Sequence, residues 1–599
     1  MNTLELGAIG NCNIAALIDQ QGTIVWGCYP RLDGDPIFHS LLNNSRDPAA
    51  PASPDGFFAL ELIDPLHADQ SYLPHTAILR TVLYDHHGGI VEVIDFAPRF
   101  STYERIFRPP LIVRRIRTIQ GRPRLRVRLH PVFEHGALKP QITRGSNHLR
   151  YVSPAQTVRL TTNAPVSYIV EERPFVLDRP VDLLLGGDEG LQAGIETTAR
   201  DLFERTLEYW RNWVRSLSIP FEWQDAVIRA AITLKLCNFE ETGAIVAALT
   251  TSIPEAPDSQ RTWDYRFCWL RDAYFVIHAL NGLGVTRTME DYLRFITDIV
   301  EEAIDGELRP AYGITRGSAI DEVILDHLAG YRGFGPVRIG NQAYLQVQND
   351  VYGSVVLAST HAFFDQRLIN PNTGTLFEQL ERLGNRAIAV FDKPDAGPWE
   401  LRNTASIHTF SAVMCWAACD RLARVARHIN LTDRASYWRR EASRLHAIIC
   451  ERAWNPDRNS FTATFGGQDL DATLLLLHEV GFLDADDQRF AETVAAVAKS
   501  LRIGDFLYRY TSEDDFGRPI TAFIICVFWY INALAALGRR EEARNLFETV
   551  LARRTALGLL SEDIDPATGE LWGNFPQTYS MVGLINCATR LSIPWQDAV

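Results

Sequence analysis

Phe203-Glu204-Arg205-Thr206-Leu207-Glu208-Tyr209-Trp210-Arg211-Asn212-Trp213-Val214-Arg215-Ser216-Leu217 is where the chain changes its period. Phe203, Leu207, Trp210, Val214 and Leu217 step by four, three, four and three, which makes one apolar face of a helix. Thr197 or Thr198 is placed to cap its start, and Ile219-Pro220 ends it. Before this stretch the period is two. Ile90-Val91-Glu92-Val93-Ile94-Asp95-Phe96 is β-branched, and Leu125-Arg126-Val127-Arg128-Leu129-His130 alternates strictly. Val158-Arg159-Leu160 and Val166-Ser167-Tyr168-Ile169-Val170 continue the series, with Gly, Pro, Asn and Asp between the runs. Short strands with such turns predict an antiparallel β-sandwich.

After the stretch the pattern is helix upon helix. Twelve segments are expected, near 223–240, 271–283, 287–304, 350–365, 375–391, 410–428, 433–453, 471–481, 487–501, 520–537, 540–553 and 576–591. Ala543, Leu546, Phe547, Val550 and Leu551 form one stripe; Trp438, Ala442, Leu445 and Ile449 form another behind a Thr432 cap. Six helical hairpins close into a toroid, an (α/α)6 barrel. The expected plan is a sandwich over 1–195, a helical linker over 196–221 and a barrel over 222–599. Long Gly-, Pro- and aromatic-rich loops at 241–270, 305–349, 392–409, 454–470, 502–519 and 554–575 alternate with the helix pairs. Loops of that length are usually functional, and their alternation puts all of them at one end of the toroid.

Composition narrows the function. A chain of 599 residues with 46% hydrophobic and 22% charged residues is an ordinary multidomain globular protein. Its net charge of −14 argues against nucleic acid or an anionic membrane as partner and fits a neutral ligand. No secretory signal or membrane span is read, and nine scattered cysteines without a CxxC favour the reducing cytoplasm. No HExxH, Walker loop, GxGxxG or GxSxG is present, and no metal or cofactor is expected. Oligomeric state is not legible.

Four stretches carry the chemistry. Asp395-Ala396-Gly397-Pro398-Trp399-Glu400-Leu401-Arg402 must loop at Gly397-Pro398. A carboxyl beside an indole there is expected to be desolvated and so to hold its proton; the plain alternative is a core Trp beside a Glu400–Arg402 pair. Arg261-Thr262-Trp263-Asp264-Tyr265-Arg266-Phe267-Cys268-Trp269-Leu270-Arg271-Asp272 interleaves aromatic faces, which suit a pyranose, with Arg–Asp pairs, which suit vicinal hydroxyls. Read plainly, it is a helix start with a surface ion pair. Ser561-Glu562-Asp563-Ile564-Asp565 clusters carboxylates that push each other's pKa values apart, or is an acidic turn. Arg338-Ile339-Gly340-Asn341-Gln342 with Tyr344, Gln346, Gln348 and Asp350 offers amides to hydroxyls, or an Asn-capped helix start. Ser512-Glu513-Asp514-Asp515 reads as a solvated loop.

Together these stretches resemble glycoside hydrolase family 15, the glucoamylase, glucodextranase and trehalase group, over nearly the whole chain. The opening Ile9-Gly10-Asn11 to Pro30-Arg31-Leu32-Asp33, the run Trp263–Asp272, Arg338-Ile339-Gly340-Asn341 and Gly573-Asn574-Phe575-Pro576-Gln577 carry the likeness. The resemblance implies a sandwich, a linker helix and an (α/α)6 barrel. It implies Glu400 as general acid and Glu562 as general base. Tyr265 would hold the attacking water, Arg271 and Asp272 would grip the terminal glucose, Trp269 and Trp399 would wall its subsite, and Arg338 would join the binding set. The implied reaction is inverting, exo-acting release of β-glucose from trehalose or a short α-gluco-oligosaccharide. Pro398, the segment Asn403–Thr409 and Ile520 depart from the group's usual residues and leave the outer pocket open. A disaccharide phosphorylase and a non-catalytic sugar-binding protein remain as alternatives.

Overall fold

The computed structural model describes residues 3–43, 55–303, 306–317, 320–368 and 373–598; position 304, the expected end of one helix, lies outside them. The described N-terminal part is built on two large antiparallel sheets, with a small hairpin of Phe100–Thr102 and Arg105–Phe107 beside them. One has seven strands, in the order Gly7–Gly10, Ala15–Ile18, Ile24–Tyr29, Phe57–Leu62, Arg124–His130 and Phe175–Val176, with Asp35–Phe38 paired on Ile24–Tyr29. The other has eight and runs from Gln141–Arg144 through His148–Val152, Thr157–Thr162, Val181–Gly186, Leu111–Gln120, Ile90–Phe96 and Leu79–Asp85 to Pro65–Tyr72. Leu125, Val127 and Leu129 are buried while Arg126, Arg128 and His130 face outward, so the strict alternation marks a half-buried strand. Phe58, Val91 and Leu160 of the two sheets share one core. One expected strand is corrected: Val166–Val170 is a single helical turn. Pro165 (φ −62°) stands at its start, where proline's fixed φ favours a helix over a strand.

The helix Ile195–Arg215 joins the two parts. Its buried line is Leu202, Thr206, Trp210 and Val214, turned slightly from the expected face, with Phe203 and Leu207 at its edge. It begins after Gly194, without a side-chain cap from Thr197 or Thr198. Leu202 packs on Ile94 and Phe96 of a sheet, and Trp210 on Ile228 and Ile232 of the next helix.

Beyond it the helices form a closed double ring, the (α/α)6 barrel. Leu270–Gly282, Asp350–Phe364, Thr409–His428, the short turn Ala472–Leu476, Ile524–Ala536 and Thr578–Leu591 each pack on the next, and the last packs back on the first. Gln224–Leu236, Thr286–Glu302, Thr373–Val390, Thr432–Ala453, Gln488–Leu501 and Arg540–Leu551 alternate with them in sequence as the outer ring. Inner members such as Ile524–Leu534 are buried all round, whereas Arg540–Leu551 buries only the predicted stripe. The helix expected at 471–481 is a 3-10 turn over Ala472–Leu476, the shortest member of the inner ring. Thr432 is the first residue of its helix and makes no side-chain cap.

Three connections from an inner to an outer helix, 283–285, 429–431 and 537–539, span only three residues each, while 477–487 is longer. Connections into the inner helices are long: 237–269, 303–349, 391–408, 454–471, 502–523 and 552–577. All six long loops therefore leave the ring at one end, where the inner helices begin.

The sandwich is fastened to the first of these loops. Trp26 Nε1 donates to the Leu249 carbonyl at 2.8 Å, and Arg266 Nη1 donates to the Gly34 carbonyl at 2.9 Å. Arg99, in the sandwich, makes a buried ion pair with Glu240 at 2.6 Å.

Candidate active site

The loop end of the barrel holds a pocket open at its mouth, lined by aromatic, acidic and guanidinium side chains. Five of the six long loops contribute to it, through Tyr265, Gln346, Glu400, Arg509 and Glu562, and Thr473 joins them from the inner turn Ala472–Leu476.

Asp395–Arg402 turns as its Gly-Pro pair predicts. Gly397 (φ +70°) needs the left-handed region, and a Cβ there would meet the His408 ring at 2.6 Å. Glu400 is itself left-handed (φ +60°), a conformation that a non-glycine residue holds only when its surroundings impose it. Its Oε1 accepts from Trp269 Nε1 at 2.7 Å and from Arg271 Nη2 at 3.1 Å, and neither donor reaches Oε2. Trp399 does not pack as a simple core plug. It lines the pocket among Tyr510, Phe523 and Trp529, and its indole N–H donates to Asp471 at 2.9 Å. Arg402 pairs with Glu322 at 2.6 Å, not with Glu400.

Glu562 faces the same pocket and is 1% exposed. Its Oε1 accepts from the Tyr265 hydroxyl at 2.6 Å, and its Oε2 accepts no hydrogen bond. Gly573 (φ +76°) backs directly onto it; a Cβ there would stand 2.8 Å from Oε2. Glu255 and Asp563 lie beside Glu562, all three buried. Burial first, then the charge of Glu255, pushes the Glu562 carboxyl up to about 8, against the Tyr265 hydrogen bond and Arg509. Burial and the neighbouring Glu562 likewise raise the Tyr265 phenol well above its ordinary value, so it stays a donor. Glu562 is the more deeply buried of the two carboxylates; the Glu400 side chain, expected to be partly desolvated, is 23% exposed, with the Trp269 indole and a guanidinium at its side.

At the far side, Arg271 is surrounded by acceptors: Gln348 at 2.9 Å, Asp350 at 3.5 Å, Asp272 at 3.6 Å and Glu400. Asp272 is buried, and that burial pushes it up to about 7 against the pull of Arg271. Its Oδ1 has no hydrogen-bond partner in the protein, a buried acceptor of the kind a sugar hydroxyl satisfies.

Tyr265, Trp269, Arg271, Asp272, Trp399, Glu400 and Glu562 all line this pocket. Arg338 is the exception. Its guanidinium is committed to the Gln260 and Thr262 carbonyls at 2.9 and 3.1 Å and to Glu322 at 3.2 Å, and it lies 5.1 Å from the Trp263 ring centroid. It braces Trp263 rather than reaching a ligand. Asn341 takes the plain role, capping a turn by accepting from Ala343 N at 2.9 Å.

The acidic run at 512–515 is a further correction. Glu513 is solvated, with 76% exposure, but the Asp514 side chain is 7% exposed. Asp514 pairs with both terminal nitrogens of Arg261, and Asp514, Asp515 and Phe516 line the pocket. Glu255, Asp471 and Arg509 were not singled out from sequence; the length of their loops was the only signal.

A closed helical toroid with two carboxylates, an Arg–Asp pair and edge-to-face aromatics at its loop end defines a class: this is a glycoside hydrolase. Residues 223–589 match the family model described as glycosyl hydrolases family 15. The chain is 31% identical to a trehalase of Thermoplasma volcanium over 98% of its own length and 93% of that protein's. It is 32% identical to a trehalase of Mycobacterium tuberculosis, over 96% and 87%. The chain belongs to glycosyl hydrolase family 15. A bacterial glucoamylase solved with acarbose shares the fold, with a TM-score of 0.68 at 13% identity over 98% of this chain and 94% of that one. Among the described residues no helix is long and apolar enough to cross a membrane, and the nine cysteines are free thiols.

Proposed function

We propose that the chain is an inverting, exo-acting α-glucoside hydrolase that releases β-glucose, with trehalose its foremost substrate, and that it works in the cytoplasm. The observation that carries this is the pair Glu400 and Glu562, anchored by different donors across one pocket that ends at Arg271 and Asp272. Relatives of nearly the same length that are named trehalases support the choice of substrate, and the free cysteines suit a reducing compartment.

In this reading Arg271 and Asp272 hold the terminal glucose. Glu400 gives the proton on its free oxygen to the glycosidic oxygen, and the bond from that oxygen to the anomeric carbon breaks. A water attacks the same carbon from the opposite face while ionised Glu562 takes its proton. Single displacement of this kind requires carboxylates about 6.5–9.5 Å apart. The raised Glu562 carboxyl makes a strong base once ionised, matched to a near-neutral working range.

The test is a panel of trehalose, maltose, isomaltose, maltotriose, dextran and soluble starch, with the released anomer followed by NMR. Initial β-glucose, foremost from trehalose, is expected. Initial α-glucose would sink inversion, and phosphate-dependent turnover would favour a phosphorylase. Glu400→Gln and Glu562→Gln should each lower turnover about 10²–10⁴-fold; near-normal activity in either would remove its assignment.

The depth of Glu562 favours one second reading, in which Glu562, its carboxyl raised by burial, is the acid and Glu400 the base. Azide separates the two. Rescue of Glu562→Ala to give β-glucosyl azide assigns Glu562 as base; rescue of Glu400→Ala exchanges the roles.

A further inference from the structure

Resting on the hydrolytic reading above, we propose that the turn at 512–518 is a fixed end wall that limits the leaving-group side of the pocket to a single hexose, making the enzyme selective for disaccharides. The leaving sugar must lie beyond Glu400 as seen from Arg271 and Asp272, because Glu400 protonates the oxygen that departs with it. Asp515 is seated against the turn that follows Glu400. It accepts from Arg402 N at 2.7 Å, from Asn403 N at 3.2 Å and from the Asn403 amide at 2.7 Å, so the wall rests on the proton donor's own turn.

The turn is closed on itself and bolted across the mouth. Phe516 N donates to Asp514 Oδ1 at 2.8 Å, and Gly517 N donates to the Asp514 carbonyl at 3.1 Å. Arg261 grips Asp514 at 2.7 and 2.6 Å and the Gly517 carbonyl at 2.6 Å. Phe516 meets Trp263 edge on, with centroids 5.1 Å apart, and the Arg402 guanidinium covers Trp263 at 4.4 Å while pairing with Glu322. Four of the six loops are thereby tied together. Breaking a largely buried bidentate pair is strongly unfavourable, so this is a wall and not a swinging lid. Asp514 is paired with Arg261 and Asp515 is satisfied by neutral N–H donors, and the Trp263–Phe516 pair gives a sugar an apolar face.

The experiment measures Kd by calorimetry and kcat/KM for trehalose, maltose and maltotetraose, in the wild-type chain and in Asp515→Ala and Phe516→Ala. Both measures should favour a disaccharide over maltotetraose by about tenfold or more in the wild type, and each substitution should erase most of that ratio. Maltotetraose bound and cleaved as well as maltose by the wild type, or a ratio unmoved in both variants, would overturn the wall. Length-limited binding with no hydrolysis would keep the wall and overturn only the hydrolytic reading. The length ratio is the readout that a merely structural turn would leave unchanged, and the exposed Asp515 keeps the test open if Phe516→Ala misfolds.

Discussion

The Tyr265 and Trp269 rings meet edge to face, with centroids 5.5 Å apart at 70°, and each gives its one polar hydrogen to a different carboxylate. Tyr265 serves Glu562 and Trp269 serves Glu400. The gap across which a sugar and a water must fit is therefore set by two side chains four positions apart on one loop.

Tyr265→Phe should test this link. The lost hydrogen bond to an ionised partner is worth about 1.5–3 kcal/mol, or roughly 10–150-fold in kcat/KM. Because the phenol favours the ionised form of Glu562, its removal should move the acid limb of the pH–kcat/KM profile to higher pH. A lower rate with an unmoved limb would deny that role.

Glu562→Gln should stabilise the fold while it lowers turnover. The Glu562 carboxyl is raised from 4.5 to about 8. Between those values the folded chain keeps a proton that the unfolded chain has released, so stability falls as pH rises through the window. Glutamine has no such proton to lose. The Tm advantage of the variant should grow from pH 5 to pH 8; a constant difference would contradict the raised carboxyl.

Gly573→Ala should damage activity more than stability. Strain at φ +76° costs about 1–2 kcal/mol, and the new methyl would press on the Glu562 carboxylate. Denaturant midpoints and kcat measured together will show whether the rate falls further than the fold loosens.

Arg266→Ala should unseat the loop from the sandwich. Arg266 pairs with fully buried Asp264 at 2.7 Å, and Asp264 accepts from Gly340 N at 3.1 Å. An orphaned buried carboxylate costs about 3–5 kcal/mol, readable in a urea titration. A loss under 1 kcal/mol would mean that the joint carries no load.

Much of the fold was legible because it rests on local periodicity. The switch at Phe203, the alternation at Leu125–His130 and the stripe from Ala543 to Leu551 each report burial within a few residues. The misreadings come where context overrides pattern. Val166–Val170 looks like a strand until Pro165 turns it, and the segment at 471–481 keeps its apolar content but winds as a short 3-10 turn behind an Asp471 cap. At the site, Trp399-Glu400 and Trp263–Asp272 were conspicuous for aromatics beside charges. Asp514 was not: its partner Arg261 lies 253 positions away, and nothing local separates a gripped carboxylate from a solvated one. Arg338 erred the other way, since a guanidinium spent on carbonyls looks in sequence like one free to bind.

The inner helices are reached by long loops at one end, and three of them are left by three-residue connections at the other. An insertion at 429–431 would have to break a helix pair, while one at 502–523 merely redraws the mouth. Descendants of this chain can therefore change diet without renegotiating the ring. The history of its substrates should be written as added and deleted residues on one face, over an opposite face that hardly varies in length.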